Sequence, residues 1–469
     1  MDVQPTWRRD QPAPTVRVVH LGLGAFARAH LIRYTDRANA LVDPEERWGV
    51  AAFTGRSARA AQLLAGQDGR YTLIERSAGG DRAATVDALV SVHDGADRST
   101  WRALLARPEV GVVTLTVTEA GYRRDAEGHL DVADPQVAAD VQQLRPRGTE
   151  HDACGAVRTA PGRLVDGLAA RRLAGAGSVA VIALDNLPHN GEVLAGVVRE
   201  LAALVDPALA EWIPQHVAFV STMVDRITPA TTEADRAVAR ALTGRDDAAP
   251  VVTEPFSEWV LQGRFPAGRP GWDAVGARFV DDLEPVERRK LWLLNAGHSL
   301  LAYEGLPRGR ATVAEAFADP VLRDRLEALW VEARAVLPLP AAEVDAALEA
   351  LRTRFANARI EHRLAQIARD GSQKLPVRVL AVARARREAR LPVGRAGAGV
   401  VAAWAQHLLA HDLRADDPAA VVLAARVRGR EPDEVARLVL TELAPDLAAL
   451  PELVDAVTAS VTRRAAAAA

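Results

Sequence analysis

An α/β N-terminal half followed by a mostly α-helical C-terminal half is the architecture this sequence predicts, and three observations predict it. Strand-like and helix-like segments alternate through the first part of the chain, as a parallel α/β sheet requires. A glycine turn follows the first apolar run, between a strand-like and a helix-like segment. From about Leu283 helix follows helix, with Pro and Gly only at breaks. The boundary is expected near residue 280, giving domains of residues 1–280 and 281–469, a reasonable division for a 469-residue chain.

Taken in order, VRVVHLGLG (16–24) is an apolar β run ending in glycines, and AFARAHLIRYTDRANAL reads as a helix. WGVAAFTG (48–55) is a second strand, SARAAQLLAGQ a helix, YTLIER (71–76) a strand, and VGVVTLTVTEAGY (110–122) a long buried strand. After a helix at GRLVDGLAARRLAG comes SVAVIALDNLPHNG (178–191), a β run ending in a polar loop, and HVAFVSTMVDRI (216–227) repeats that arrangement. Strands whose carboxyl ends carry polar residues are typical of sites on open α/β sheets. No internal repeat of 20 to 50 residues is found.

Composition narrows the function classes. Apolar residues make up 49% of the chain, ample for burial, and the net charge of −3 supplies no basic field for nucleic acid. Arg far outnumbers Lys and Ala is abundant, so runs such as ARARREAR (383–390) read as solvated helix faces. Cys154 is the single cysteine, which excludes an intramolecular disulfide and a Cys-based zinc site. MDVQPTWRRDQPAP has no apolar signal core, and no run reaches the roughly 18 apolar residues that span a bilayer. A cytoplasmic protein with no membrane partner is expected, with RRAAAAA as a frayed tail.

In HLGLGAFARAH (20–30), Gly22, Gly24 and Ala27 form a G-x-G-x-x-A pattern directly after a strand and before a helix. The first Gly permits the tight turn, the second lets backbone approach a pyrophosphate, and a small third residue lets helix and strand pack closely. Ala25 and Phe26 open the helix whose N-terminus attracts phosphate charge. In this context the pattern points to a Rossmann-type dinucleotide-binding domain, the alternative being a simple strand–helix turn. At the end of the second strand, an acid would bind the ribose 2′-hydroxyl of NAD, but the chain has Gly55, Arg56 and Ser57. Arg56 with Ser57 suits a 2′-phosphate, so the cofactor is NAD or NADP.

Other polar residues have two readings each. LDNLPHNG (184–191) places Asp185, Asn186, His189 and Asn190 beyond a buried strand, where Asn is a common turn cap. Asp225 and Arg226 follow another strand, as site residues or as a local ion pair. In RIEHRLAQIARDGSQKLPVR (359–378), Arg363 and Gln366 would share a helix face before a turn carrying Lys374. That set could hold hydroxyls or a carboxylate, or it is a charged helix ending in a Gly turn. KLWLLNAGHSLL (290–301) sets Lys290, Asn295 and His298 in an otherwise apolar helix. At about 100° per residue they fall near 0°, 140° and 80°, within one arc. A buried lysine loses its proton more readily and becomes a usable base; alternatively Lys290 marks the wet end of the helix. Of the 11 histidines only His407 and His411 (HLLAH) stand at H-x-x-x-H spacing, without the Glu of H-E-x-x-H, and no G-x-S-x-G elbow occurs. Metal-free hydride transfer with Lys290 as general base is the chemistry that remains.

Together these stretches resemble the mannitol dehydrogenase family, the polyol-specific long-chain dehydrogenases. The resemblance rests on HLGLGAFARAH, VTLTVTEAGY, ALDNLPHNG, TMVDRITPAT, TEPFSEWV with GRPGW, KLWLLNAGHS and RFANARIEHRLAQIARDGSQKLPVR, spanning about residues 18–378. It implies a Rossmann-type N-terminal domain and a mostly α-helical C-terminal domain, with the active site between them. It further implies Lys290 as general acid/base, Asn186 and Asn295 as donors to the reacting oxygen, His298 as an orienting group, and Asp225 as a partner of a substrate hydroxyl. Relatives that prefer NAD usually carry an acid where Ser57 falls. Gln366 stands where mannitol dehydrogenases carry Arg, which resembles the fructuronate reductase branch. The expected substrate is a sugar acid or polyol, D-fructuronate/D-mannonate first and D-fructose/D-mannitol next, turned over without metal by a monomer or small homo-oligomer. The rivals are a catalytically silent dinucleotide-binding regulator and a phosphorylated-polyol dehydrogenase, for which no phosphate clamp is identified.

Overall fold

The computed structural model describes residues 7–9, 11–55, 57–145, 155–410 and 417–468, so the expectations placed on Arg56 and Cys154 lie outside the described residues. The chain forms two compact units, Met1–Glu284 and Pro285–Ala469.

In the first unit the strands are β1 (Val16–Leu21), β2 (Gly49–Phe53), β3 (Tyr71–Ser77), β4 (Gly80–Val86), β5 (Leu89–His93), β6 (Val112–Leu115), β7 (Val179–Ala183), β8 (Val217–Asp225), β9 (Val251–Thr253), β10 (Glu258–Gln262) and β11 (Arg278–Phe279). An eight-stranded sheet has the order β11-β10-β8-β7-β6-β1-β2-β5. The six strands from β8 to β5 run parallel, while β10 pairs antiparallel with β8 and β11 parallel with β10. Counted in chain order, the parallel strands lie 3-2-1-4-5-6, so the winding reverses between β1 and β6. That is where a dinucleotide crosses such a sheet.

Alternation along the strands explains the layering. Val19, Leu21, Ala51, Phe53, Val113, Leu115, Val179 and Val181 face one core, shared with the helices Arg98–Leu105, Ala160–Ala174, Asn190–Val205 and Pro207–His216. Val18, Val50, Ala52, Val112, Ala180 and Ile182 face the other, packed against the helical stretch that begins at Ala25. His20 is fully buried on that face, its Nδ1 2.7 Å from Thr114 Oγ1.

Two expectations are corrected. The run at 71–76 does form a strand, but β3 leaves the main sheet for a three-stranded one, β4-β3-β9. Ala78-Gly79 joins β3 to β4 in a two-residue hairpin, with Ser77 opposite Gly80 and Gly80 at φ +129°, and the other edge of β3 pairs with distant β9. The place left open in the parallel sheet is filled by β5, which the alternation argument did not identify. The expected long strand at 110–122 ends at Leu115, and Glu119–Tyr122 is a 3₁₀ turn. Its buried Tyr122 hydroxyl donates to the Asp185 carboxylate, so the chain turns across the carboxyl edge instead of continuing along it.

The second unit is helical. Its core gathers Leu293, Leu300, Leu301, Leu326, Trp330, Phe355, Leu375, Trp404 and Leu440 from helices that include Ala296–Gly305, Pro320–Arg334, Ala341–Phe355, Arg395–Ala410 and Pro432–Leu443. Among the described residues no helix is long and apolar enough to cross a membrane.

Candidate active site

The first component is the turn after β1. Gly22 has φ +105°, and a Cβ there would stand 2.2 Å from the carbonyl oxygen of Thr116, at the end of neighbouring β6. Only glycine fits this crossing of two backbones. Its N–H and that of Leu23 both donate to Phe53 O at 2.9 Å, so the turn is tied to the end of β2. Gly24 differs. Its φ is −112°, and an added Cβ would meet nothing nearer than Gly22 O at 3.8 Å. No protein atom near that point requires glycine, and the backbone there is open to a ligand's approach. Ala25 and Phe26 follow as the first helical residues, half-buried, and Ala27 is fully buried against the sheet.

Beside this turn lies a cavity of about 570 Å³ lined by Leu23, Arg28, Gly55, Ser57, Arg59 and Arg236, among others. Gly55 and Ser57 are exposed, and Ser57 Oγ accepts the N–H of Arg59 at 3.2 Å. Arg28 Nη1 donates to Ala249 O at 2.5 Å and its guanidinium sits 5.4 Å from the Tyr71 ring. The open space at Gly24, the helix start at Ala25 and this cavity fit the dinucleotide that the 3-2-1-4-5-6 sheet implies.

The second component is the polar edge of β7 and β8. Asp185 and Asn190 are buried and tie the loop together. Asp185 accepts from Tyr122 and, at 2.9 Å, from Leu187 N–H. Asn190 exchanges hydrogen bonds with the Thr222 backbone at 2.9 and 3.0 Å. Burial pushes the Asp185 carboxyl up, against the hydrogen bonds that favour its anion. Asn186 is exposed at the tip of this clamped loop, and His189 takes a left-handed φ of +52° before the helix. Asp225 is half-buried at the end of β8. Arg226 is buried and pairs with Glu75 at 2.7 Å while donating to Ala29 O and Glu254 O. These partners are distant in sequence.

The third component lies in the second unit. The stretch KLWLLN is a π-helical turn, Lys290–Asn295, that passes into the α-helix Ala296–Gly305. Hydrogen bonding from i to i+5 brings Lys290 and Asn295 nearer one face than the roughly 140° of a regular helix. The carbonyls loosened by the wider turn find side-chain donors: Trp330 Nε1 at 3.0 Å from Leu293 O, and Ser299 Oγ at 3.1 Å from Asn295 O. Lys290 and Asn295 are half-buried, which corrects the picture of a lysine sealed in an apolar core.

His298 is buried, with its ring 5.0 Å from Phe355 and 4.7 Å from His362. Desolvation holds its pKa well below the ordinary value, and His362, Arg354, Arg378 and Lys290 add to the effect in that order. His298 is therefore neutral at physiological pH. Its Nε2 is buried and has no hydrogen-bond partner among the described residues. Sequence reasoning missed His362, Arg354 and Arg378; the only trace was their position inside the dense RFANARIEHR and KLPVR motifs.

The stretch 359–378 is not the expected helix face. Arg363 is extended, bridged to Thr312, exposed and 2.7 Å from Glu361, and Gln366 is exposed on a short helix, Leu364–Ile367. A left-handed Asp370 (φ +54°) then breaks the chain before Gly371–Leu375. Lys374 Nζ donates to Arg369 O at 2.6 Å and lies 3.6 Å from Asp370, so it caps that break. Among the described residues no cluster of three metal-ligating side chains occurs.

A dinucleotide-binding sheet together with a lysine–amide–imidazole helix defines the class of a nicotinamide-type oxidoreductase. Comparison with known proteins narrows it. The mannitol dehydrogenase Rossmann domain matches residues 16–274 and the mannitol dehydrogenase C-terminal domain residues 282–464. The chain belongs to the mannitol dehydrogenase family, and it is an oxidoreductase. It is 39% identical over 372 residues to the uncharacterized oxidoreductase YdfI of Escherichia coli K12, covering 78% of this chain and 74% of that one. It is 37% identical over 388 residues to D-mannonate oxidoreductase of the same organism, covering 80% and 76%. The Pseudomonas fluorescens mannitol 2-dehydrogenase ternary complex with NAD and D-mannitol superposes with a TM-score of 0.79 at 32% identity, covering 96% and 92%.

Proposed function

We propose that the chain interconverts a ketose or keto-uronate with its polyol or aldonate, with D-fructuronate and D-mannonate as the leading pair and NAD(H) as cofactor. The Lys290–Asn295–His298 arrangement carries the reading. NAD is the cofactor in the mannitol 2-dehydrogenase complex that this fold resembles, and bound here it would accept hydride from the reacting carbon. Gly22, Gly24, Ala25 and Phe26 would hold its pyrophosphate.

Lys290 takes the alcohol proton in the oxidative direction and returns it in the other. Asn295 donates a hydrogen bond to the oxygen on which charge develops, from a position set by the π-turn before the reaction begins. His298, held neutral, offers its unpartnered Nε2 to a substrate hydroxyl. Asn186 and Asp225 keep the roles that the family resemblance assigns them. The preference for an acid sugar rests on the cations around His298: Arg354, Arg378 and Lys290 all act on that ring. Such surroundings favour a substrate carboxylate.

Two measurements test this. Lys290→Ala is expected to lower kcat by orders of magnitude while NADH affinity stays within about twofold; near-normal turnover refutes the lysine assignment. A panel of polyols and aldonates, assayed with NAD and NADP, is expected to give the highest kcat/KM for D-mannonate; D-mannitol in first place refutes the substrate choice and leaves the chemistry intact.

A further inference from the structure

A cavity of about 750 Å³ in the second unit is lined in part by Leu300 and Glu304 of the helix Ala296–Gly305. Neither Lys290, Asn295 nor His298 belongs to its lining. Five arginines border it, Arg308, Arg325, Arg395, Arg463 and Arg464, against two carboxylates, Glu304 and Glu332.

Both carboxylates are already engaged. Glu304 is almost wholly buried and is gripped from two sides, by Arg325 and by Arg464 at 2.5 Å. Glu332 accepts the backbone N–H groups of Ala396 at 2.7 Å and Gly397 at 2.9 Å, at the start of the helix Arg395–Ala410. Little negative charge is left for the other cations. Arg308 reaches Asp319 only at 3.7 Å, and Asp319 also serves Arg310 at 3.4 Å. Arg463 donates to the neutral Ser460 hydroxyl at 3.0 Å. Arg395 is exposed at the rim and makes no ion pair among the described residues. Arg464 is held deep enough that burial pulls its pKa down. In a chain whose net charge is −3, a concave surface with this excess of guanidinium groups is a local reversal of sign. Its size falls within the range of small-molecule sites. Guanidinium forks match the oxygens of phosphate and carboxylate groups.

We propose that this arginine-lined cavity is a second ligand site, one that binds a small organic polyanion bearing phosphate or several carboxylates. An occupant would bridge the helix Ala296–Gly305, which continues the turn of Lys290 and Asn295, to Arg395 and Arg463 on two other helices.

Isothermal titration of the full chain with sodium pyrophosphate and, separately, with citrate tests the proposal at fixed ionic strength. Binding of at least one probe is expected in the wild type. It should weaken at least tenfold in the Arg395→Ala/Arg463→Ala double variant, whose turnover without probe and thermal midpoint should match the wild type. The corresponding double Lys variant should recover part of the affinity. Loss of pyrophosphate binding alone identifies a phosphorylated ligand, and loss of citrate binding alone a polycarboxylate. Failure of both probes to bind, or binding that persists undiminished in the double Ala variant, overturns the proposal.

Discussion

Gly22 and Gly24 lie two residues apart in one motif, yet a side chain would meet different surroundings at each. At Gly22 an alanine would place an L side chain at φ +105° and a Cβ 2.2 Å from Thr116 O and 3.1 Å from Thr116 C. The backbone conformation costs about 1–2 kcal/mol. Parting β1 from the end of β6 to relieve the overlap adds about 1–3 kcal/mol. Gly22→Ala should therefore destabilise the protein by about 2–5 kcal/mol. At Gly24 the backbone is at φ −112° with nearest contact 3.8 Å, so alanine should change stability by no more than about 1 kcal/mol, in either direction. A Cβ would nevertheless occupy the space through which a pyrophosphate reaches the helix N-terminus, and NADH affinity should fall at least tenfold, about 1.4 kcal/mol. Urea unfolding followed by tryptophan fluorescence and NADH fluorescence titration read the two quantities separately. A Gly24→Ala protein that binds NADH like the wild type would refute the phosphate cradle. A Gly22→Ala protein of wild-type stability would refute the backbone crossing.

Three further outcomes are expected. Ser57→Asp should raise the NADH over NADPH preference in kcat/KM at least tenfold by supplying an acceptor for the ribose hydroxyls; an unchanged ratio would remove Ser57 from the cofactor site. Arg171 is buried and donates to the carbonyls of Leu105, Arg107, Ala176, Gly177 and Ser178 at 2.8–3.2 Å, so Arg171→Met should cost about 3–5 kcal/mol in urea unfolding, and a loss below 1 would contradict its bracing role. Burial lowers the pKa of His20 to about 4, so the folded state refuses a proton that the unfolded chain accepts. Its contribution is fully present above pH 6.5 and is lost as pH falls from 6.5 towards 4, by about 3 kcal/mol. The stability difference between wild type and His20→Asn should shrink over that interval, and a constant difference would count against it.

Local signals carried much of the architecture. The glycine turn after β1 was legible because a backbone crossing such as that of Gly22 with Thr116 demands a residue without a side chain. β7 and β8 were legible because their apolar runs end in polar loops. β5 was not, since LVSVH is short and half polar, and only its pairing with β2 makes it the third parallel strand. Nor does YTLIER reveal that β3 leaves the main sheet; the hairpin at Ala78-Gly79 and pairing with distant β9 decide that.

The same division runs through the site. Residue types alone identified a lysine, an amide and an imidazole in an apolar helix, because polar groups there need a reason. Periodicity assumed a regular helix, and it could not foresee a π-turn supported by Trp330 and Ser299. Nor could it show that Arg354, His362 and Arg378 gather about His298 and help keep it neutral. Chain order and chemistry determined the family, the nucleotide-type sheet and the identity of the polar trio. The electrostatic setting of that trio belongs to the tertiary structure, because it depends on charges and rings brought together from distant segments and on the water their packing excludes.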